Sequence, residues 1–376
     1  MIALLSIPSI IFTVIYLSVV AFFIKGWHAL KPPKLKTGGF TTKVSVLIAA
    51  RNEEEKIHLT IEDILAQDYP KHLTEIIIVD DHSTDRTSAI ISSYADRGVK
   101  LMTLYEDKPL NSYKKKAITE AIKQSTGELM VATDADCRMG SKWLSTIVGY
   151  YEMHQPVMIS SPVGYFEEKS LFERMQTLEF NYLMGMGAGF IGNKRASTCN
   201  GANFAYRKDI FNEVGGFKGI DDLASGDDEL LLQKVAARYP GKIGFIKLYD
   251  AVVLTHAKPN LKEFLQQRRR WASKSVKYKD KRVIALTVSI WLFNVSLLLN
   301  ALAGFYDVFF FKMFIAQISL KFIFEFIFLL PIATFFKRPQ FIALLVIIIP
   351  VHILYFIYIG FMGNNRAYTW KGREVR

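Results

Sequence analysis

The stretch Glu128-Leu129-Met130-Val131-Ala132-Thr133-Asp134-Ala135-Asp136 decides how the chain reads: a short apolar run of the kind that becomes a buried strand, ending in two aspartates one residue apart. Side chains on a strand alternate faces, so aspartates at i and i+2 point the same way and can share one divalent cation at the strand's carboxyl end. Hard carboxylate oxygens suit Mg²⁺ or Mn²⁺, ions that are held together with diphosphate oxygens rather than in all-protein cages. Taken alone, D-x-D says little, because a turn after a strand favours Asp anyway. The rest of the chain has to carry the reading of a nucleotide-sugar diphosphate at this spot.

Upstream, the same pattern recurs. Val44–Ala50, Glu75–Asp81, Val99–Tyr105 and Glu128–Thr133 predict buried strands. Between them helices are expected from Arg51-Asn52-Glu53-Glu54-Glu55 to about Gln67, over Arg86–Tyr94 after the cap-forming turn His82-Ser83-Thr84-Asp85, and over Ser112–Gln124. Apolar strands alternating with helices give an α/β fold with a parallel sheet covered on both faces. Ligands of such sheets sit at the carboxyl ends of strands, and Arg51, Asp80, Asp81, Asp134 and Asp136 all fall there. Simpler roles compete: Arg51 pairing with Glu53, and Asp80 capping the helix that begins near Asp85.

Downstream, Trp143–Met153 reads as helix, Val157–Phe166 as strand and Leu171–Met184 as helix, leading to Gly185-Met186-Gly187-Ala188-Gly189-Phe190-Ile191-Gly192. Gly187 to Gly192 satisfies G-x-G-x-x-G, but it follows a helix rather than a strand, which removes the context of a dinucleotide site. A flexible loop or a close approach to lipid or sugar is expected instead. In Ser225-Gly226-Asp227-Asp228-Glu229-Leu230, Gly226 is expected to start a helix whose first turn welcomes acidic residues. Asp250–Thr255 reads as the last strand. Leu261–Ser273 reads as an amphipathic helix with Leu261, Phe264, Leu265 and Trp271 on one face, suited to a membrane surface.

With these pieces assembled, the chain resembles a membrane-bound family 2 glycosyltransferase. The matching segments are Ala50-Arg51-Asn52-Glu53-Glu54, Val79-Asp80-Asp81-His82-Ser83-Thr84-Asp85, Lys116-Ala117, Asp134-Ala135-Asp136, Thr198–Tyr206, Gly215-Gly216-Phe217, the acidic pair Asp227-Asp228 and Gln267-Arg268-Arg269-Arg270-Trp271. The resemblance implies the GT-A fold and a nucleotide subsite drawn from Ala50, Arg51, Glu53, Asp80, Asp81, Lys116 and Asp134. It implies a Mg²⁺ or Mn²⁺ on Asp136 and Asp134, and Asp228 as general base. Asn203, Asp227, Gln267, Arg270 and Trp271 are implied on the acceptor or diphosphate side, with Arg268 and Arg269 less so. The family's pair is usually Glu-Asp, and here Asp227 replaces the Glu. His256 stands where the family more often shows Glu and is read as structural.

Composition adds the membrane. Ile2–Ile24 is an uncharged apolar run long enough to span a bilayer and lacks the features of a cleaved signal, so it reads as an anchor. Further apolar runs lie at Ile284–Phe305, Phe314–Phe336 and Phe341–Met362. The expected organisation is an anchor over 1–25, a basic linker over 26–42, a GT-A domain over 43–260, the interfacial helix over 261–282, three transmembrane or re-entrant helices over 283–363 and a basic tail over 364–376. The 47 Lys and Arg against 35 Asp and Glu give a net +12. The excess sits largely beside the apolar runs, at Lys25, Lys31, Lys34 and Lys36 and from Lys274 to Arg282, which places the α/β domain on the cytoplasmic side of the cell membrane. Nucleic acid is not expected as a partner, for no basic stripe or binding motif occurs within the domain. Cys137 and Cys199 lack metal-ligand spacing and read as reduced, buried thiols. Lys321 and Glu325, one helical turn apart in an apolar run, are expected to pair. Four spans return the chain end outside, whereas Arg366, Lys371, Arg373 and Arg376 argue for inside, so one late run reads as re-entrant or interfacial.

The function expected is metal-dependent, inverting transfer of a sugar, from a UDP-sugar ahead of a GDP-sugar, to a hydroxyl of a membrane lipid or lipid-linked glycan. A processive polysaccharide synthase of the same family is the alternative within the class. A non-catalytic, membrane-anchored nucleotide-binding scaffold is the alternative outside it, disfavoured because the acidic set is intact.

Overall fold

The computed structural model describes the chain apart from residues 1, 107–109, 274–280, 363–367, 371–372 and 376. Most of the basic run at Lys274–Arg282, and Arg366, Lys371 and Arg376 of the tail, therefore lie outside the described residues. In chain order the elements are α1 (Ile2–Ala29), β1 (Val44–Ala50), α2 (Ile57–Leu65), β2 (Thr74–Asp80), α3 (Thr87–Ser92), β3 (Val99–Thr103), α4 (Tyr113–Gln124) and β4 (Leu129–Ala132). There follow β5 (Arg138–Met139), α5 (Trp143–His154), β6 (Met158–Ser160), β7 (Val163–Tyr165), α6 (Leu171–Gly192), β8 (Phe204–Arg207), α7 (Lys208–Glu213), α8 (Glu229–Arg238), β9 (Ile243–Phe245) and β10 (Val253–Thr255). The chain continues with α9 (Leu261–Ser273), α10 (Lys281–Ala303), α11 (Val308–Phe335), α12 (Leu345–Met362), β11 (Tyr368–Trp370) and β12 (Arg373–Val375).

Two units emerge, each discontinuous in sequence. One comprises His28–Glu167, Phe190–His256 and Thr369–Arg376, the other Met1–Trp27, Glu168–Gly189 and Ala257–Tyr368. The first is an α/β unit built on a seven-stranded sheet of order β3-β2-β1-β4-β8-β6-β9. Strands β1 to β4 run parallel, while β8 is antiparallel to both β4 and β6. The four parallel strands are the near-continuous apolar runs of the sequence, as a sheet buried on both faces requires. Val44, Val46, Leu47, Ile48, Ile77, Ile78, Val79 and Val131 are almost wholly buried. The register leaves the ends of β1 and β2 level, with Ala50 opposite Asp80. A smaller sheet of order β5-β10-β7 carries the chain beyond. It takes the second half of the expected strand 157–166, which breaks at Pro162 because proline cannot donate to a ladder.

The second unit is helical. The described residues contain four helices long and apolar enough to cross a membrane: Leu5–Ala29, Ile284–Ala303, Val308–Phe335 and Pro339–Gly360. Several polar side chains on them pair with one another, which lowers the cost of placing them among apolar neighbours. Asn300 donates to Ser9 Oγ (3.0 Å) and Gln317 Oε1 (2.8 Å), and Gln317 donates to Thr13 Oγ1 (2.8 Å). The expected Lys321–Glu325 pair forms (2.7 Å); Tyr16 OH donates to the same carboxylate and accepts from Lys321 (3.0 Å). The glycine run 185–192 is not a loop: α6 continues through it. A Cβ on Gly189 would come 3.0 Å from the Phe23 backbone, and one on Gly185 would come 2.2 Å from Ile332 Cδ1. The glycines serve close helix packing, the use that membrane helices make of small residues.

Candidate active site

The loops after β1 and β2 are laced together. Arg51, at the end of β1, donates from Nη1 to the carbonyls of Asp81 (2.8 Å) and His82 (2.9 Å). Asn52 and His82 both take left-handed backbone, at φ 50 and φ 55, a conformation that Asn and His tolerate better than most residues. Asn52 N donates to Ser83 Oγ (3.0 Å) and Asn52 Oδ1 accepts from Thr84 N (2.8 Å), while Glu54 Oε2 accepts from Arg86 N (3.0 Å). Glu53 stands half-buried beside them, its N–H donating to Thr87 Oγ1 (2.7 Å). Asp80 does not cap the following helix: its Oδ1 accepts from Ser83 N (3.3 Å), and the first N–H of α3, that of Thr87, goes to Asp85 Oδ1 (3.0 Å). Asp81 is 2% exposed, with His82 Nδ1 at 3.2 Å and Arg373 Nη1 at 2.7 Å from Oδ1. Its Oδ2 is buried and meets no hydrogen-bond partner among the described residues. A buried orphan oxygen of this kind costs free energy.

The Asp134–Asp136 motif lies just past β4, in a turn closed by Cys137 N on Asp134 O (3.4 Å). Helix α2 grips this turn through one face. Buried Thr60 reaches the carbonyls of Ala135 (2.9 Å) and Cys137 (2.8 Å), and Asp63 takes both Arg138 Nε (2.6 Å) and Nη2 (2.9 Å). Gln67 reaches Gly140 O (2.9 Å) and accepts from Leu144 N (2.9 Å). Of the two cysteines, Cys137 is buried, whereas Cys199 is only half-buried rather than buried as expected; neither forms a disulfide among the described residues.

The residue that joins the acidic motifs is Lys114. Its ammonium lies 2.7 Å from Asp134 Oδ1 and 3.0 Å from Asp227 Oδ2. Burial works against the charge, but the two carboxylates outweigh it and hold the lysine above its ordinary value. Burial likewise opposes ionisation of Asp227, and Lys114 and Lys115 overcome it and hold the acid below its usual range. Lys116, the lysine expected here, pairs instead with Glu120 (2.7 Å). Lys115 is buried and spends its three N–H donors on the carbonyls of Ile220 (2.8 Å), Leu223 (2.6 Å) and Ser225 (2.7 Å). Consecutive helix positions turn by about 100°, so three adjacent lysines face three directions. The strand-to-helix geometry, not the residue type, selects Lys114.

Gly226 does not begin a helix; at φ +84 it turns the chain ahead of α8, which starts at Glu229. Asp228 is the N-cap. Its Oδ1 accepts from Glu229 N (2.6 Å) and its Oδ2 from Gly201 N (2.9 Å), so the carboxylate is fixed from two sides. Gly201 is there for lack of a side chain, since a Cβ would lie 3.2 Å from Asp228 Cβ. Asn203, expected on the acceptor side, is fully buried and fully engaged. It accepts from Trp143 Nε1 (3.0 Å) and donates to the carbonyls of Pro162 (2.8 Å) and Ala251 (2.7 Å), which makes it a bracket between strands. His256 packs against Phe166, the ring centroids 4.4 Å apart and the planes tilted by 32°.

Gln267, Arg270 and Trp271 lie on α9, in the helical unit. Among the described residues of α9, the buried cation is Arg268, doubly bonded to Glu179 (2.6 and 3.1 Å) and set over the rings of Phe264 (4.5 Å) and Trp271 (4.3 Å). Gln267 Oε1 also accepts from Arg268 (2.8 Å).

The sequence description Glycosyl transferase family 2 matches residues 45–215, the span that holds both laced loops, Lys114 and the D-x-D turn. Residues 45–215 thus form a glycosyltransferase family 2 segment. The chain is 31% identical over 244 residues to a probable glycosyltransferase, YdaM, of Bacillus subtilis, covering 61% of this chain and 54% of that one. It is 32% identical over 123 residues to a beta-monoglucosyldiacylglycerol synthase of Synechocystis, covering 32% of this chain and 26% of the relative. The chain thus spans about half the length of the first relative and less of the second. Among solved structures, a mannosyltransferase from Pyrobaculum calidifontis, in complex with GDP-mannose and Mn²⁺, superposes with a TM-score of 0.62 at 17% identity. That match covers 91% of this chain and 98% of the other. The fold is therefore GT-A-like, with long apolar helices at both ends.

Proposed function

We propose that this chain is a metal-dependent, inverting glycosyltransferase that moves a sugar from a nucleotide donor to a hydroxyl of a membrane lipid or lipid-linked glycan. The observation that carries the reading is Lys114, one ammonium shared by Asp134 and Asp227, which joins the turn after β4 to the residue just before the cap of α8. The nucleoside is assigned to the laced loops, where Asp81 keeps an unpartnered buried oxygen. A divalent ion fits Asp134 and Asp136. Among the described residues, Asp136 makes only a 4.0 Å contact with the Cys137 thiol, leaving hard oxygens facing the turn. No three His, Cys, Asp or Glu side chains gather there among the described residues, which suits an ion that draws further ligands from diphosphate and water. When bound, the ion neutralises negative charge on the diphosphate.

The chain's own groups then divide the work. Lys114 adds positive charge where the leaving diphosphate develops its own. Asp228, fixed by two backbone N–H groups, takes the proton of the acceptor hydroxyl. The acceptor oxygen bonds to the anomeric carbon as the bond from that carbon to the diphosphate oxygen breaks, its electron pair leaving with the diphosphate. Attack on the face opposite the leaving group inverts the centre. A positioned base of this kind contributes about 10²–10⁴-fold. The glycolipid synthase among the relatives and the four apolar helices support an acceptor borne by the membrane, and Lys25, Lys31, Lys34 and Lys36 support a cytoplasmic α/β unit.

The test is nucleoside diphosphate release by the purified full chain with Mn²⁺, a panel of UDP- and GDP-sugars and a lipid extract; silence with every pair defeats the proposal. Asp228→Asn is expected to lower transfer by about 10³-fold or more while nucleotide affinity stays within a few-fold. A ladder of products, rather than one added sugar, would instead favour the processive reading that Gln267 to Trp271 invites.

A further inference from the structure

We propose that β12 is a strap across the nucleoside subsite: Arg373 occupies the Asp81 carboxylate and the face of Tyr113, so that nucleotide binding and strap docking exclude each other. This rests on the assignment of Asp81 to the nucleoside.

The geometry is that of a plug. Arg373 Nη1 lies 2.7 Å from Asp81 Oδ1, and its guanidinium carbon lies 3.8 Å from the centroid of the Tyr113 ring. That is van der Waals contact, with no space for a base between them. Tyr113 is itself positioned: its hydroxyl accepts from Leu110 N (3.1 Å), and its ring stands edge-on to His82 at 6.1 Å. A planar, cationic group is thus bonded to the acid and stacked on the aromatic, the two contacts by which a protein reads a planar heterocycle. The charge is complementary to Asp80 and Asp81 and sits beside Arg51, whose guanidinium is already committed to the carbonyls of Asp81 and His82.

The hold is also weak enough to release. β11 and β12 form a two-stranded sheet of their own and do not extend the seven-stranded one. An isolated pair of strands is marginal in water, so docking depends on contacts such as those of Arg373. A nucleotide must therefore displace the strap, and its apparent affinity is its intrinsic affinity scaled by the fraction of molecules with the strap undocked.

The experiment measures dissociation constants of UDP and GDP, with Mn²⁺, for the full chain, for Arg373→Ala and for Arg373→Ala combined with Asp81→Asn. The Arg373→Ala chain is expected to bind the preferred nucleotide about 3- to 30-fold more tightly than the parent, the gain expected when a single docked pair is removed. Unchanged or weaker binding overturns the strap and would make Arg373 a wall of the subsite instead. Asp81→Asn made in the Arg373→Ala chain, where no docked pair is left for it to release, separates the two layers of the reading. If it leaves the affinity of that chain untouched, the nucleoside assignment itself fails. If it weakens binding while Arg373→Ala brings no gain, only the strap fails. Limited trypsin digestion gives a second readout that needs no turnover. Cleavage after Arg373 should accelerate at saturating nucleotide, and equal rates with and without nucleotide count against displacement.

Discussion

At the scale of single residues, the site turns on which of three neighbouring lysines points where. Lys114→Ala would leave Asp134 and Asp227 facing each other without a shared cation, and kcat/KM is expected to fall by about 10²–10³-fold. Lys116→Ala removes only a surface pair with Glu120, one turn along the same helix, and activity should stay within about threefold because such pairs are worth a few tenths of a kcal/mol. Steady-state kinetics on the two variants side by side check the assignment, and equal losses would refute it. The sequence could not separate these lysines. A resemblance supplies a residue type at an approximate position, whereas a helix surface discriminates at each step of its rotation. The placement of Asp81, Asp134 and Asp228 was legible because each lies just past a strand or at the start of a helix, where one register is possible. Asn203 misled for the opposite reason: asparagine in a loop suits a sugar hydroxyl and an internal bracket equally, and only burial tells them apart.

At the scale of elements, two buried carboxylates fasten the α/β unit. Glu75 accepts from Ser45 Oγ (2.6 Å), Lys100 (2.7 Å) and Thr126 N (2.8 Å), linking β2 to its neighbours. Glu152 of α5 accepts from the backbone of Thr41 and Thr42 (2.9 Å each) and pairs with Lys36 (2.6 Å), tying down the segment ahead of β1. Burial alone would raise both acids; these donors outweigh it and hold each at about 2. A folded value below the unfolded one means stabilisation that is present above about pH 4.5 and lost as the pH falls toward 2. Each acid is expected to withdraw roughly 2–3 kcal/mol across that window. Thermal melts between pH 6 and 2.5 should show the fall, and Glu75→Gln should flatten part of it; a variant with the parent's slope would contradict the assignment. The sheet itself was legible from apolar runs. The grip of α2 and the residues just after it on the D-x-D turn was not, because Thr60 and Asp63 of the helix, and Gln67 beyond its end, read as ordinary polar residues until the turn is placed against them.

At the scale of the whole molecule, the helical unit buries an ion pair among apolar side chains. Removing one partner strands the other charge, so Lys321→Met or Glu325→Leu alone is expected to cost about 3–5 kcal/mol, while the double replacement should recover most of it. Unfolding in detergent across this double-mutant cycle measures the difference, and additive losses would count against the pairing. The apolar runs were legible as spans, and the pair was legible from its spacing. The glycine run of α6 was not, since glycines read as a loop until a neighbouring helix is seen to need the room. Both units are also assembled from separated stretches of chain, and that sets a timetable. Tyr16 leaves the ribosome first among the partners of this bundle, yet it stacks on Phe293 at 4.2 Å and bonds to Lys321 and Glu325. At a synthesis rate of about 5–20 residues per second, those partners follow roughly 15–60 s later. During that interval the tyrosine hydroxyl lacks the partners it holds in the finished bundle, so α1 becomes a fixed part of that bundle only when those late residues arrive.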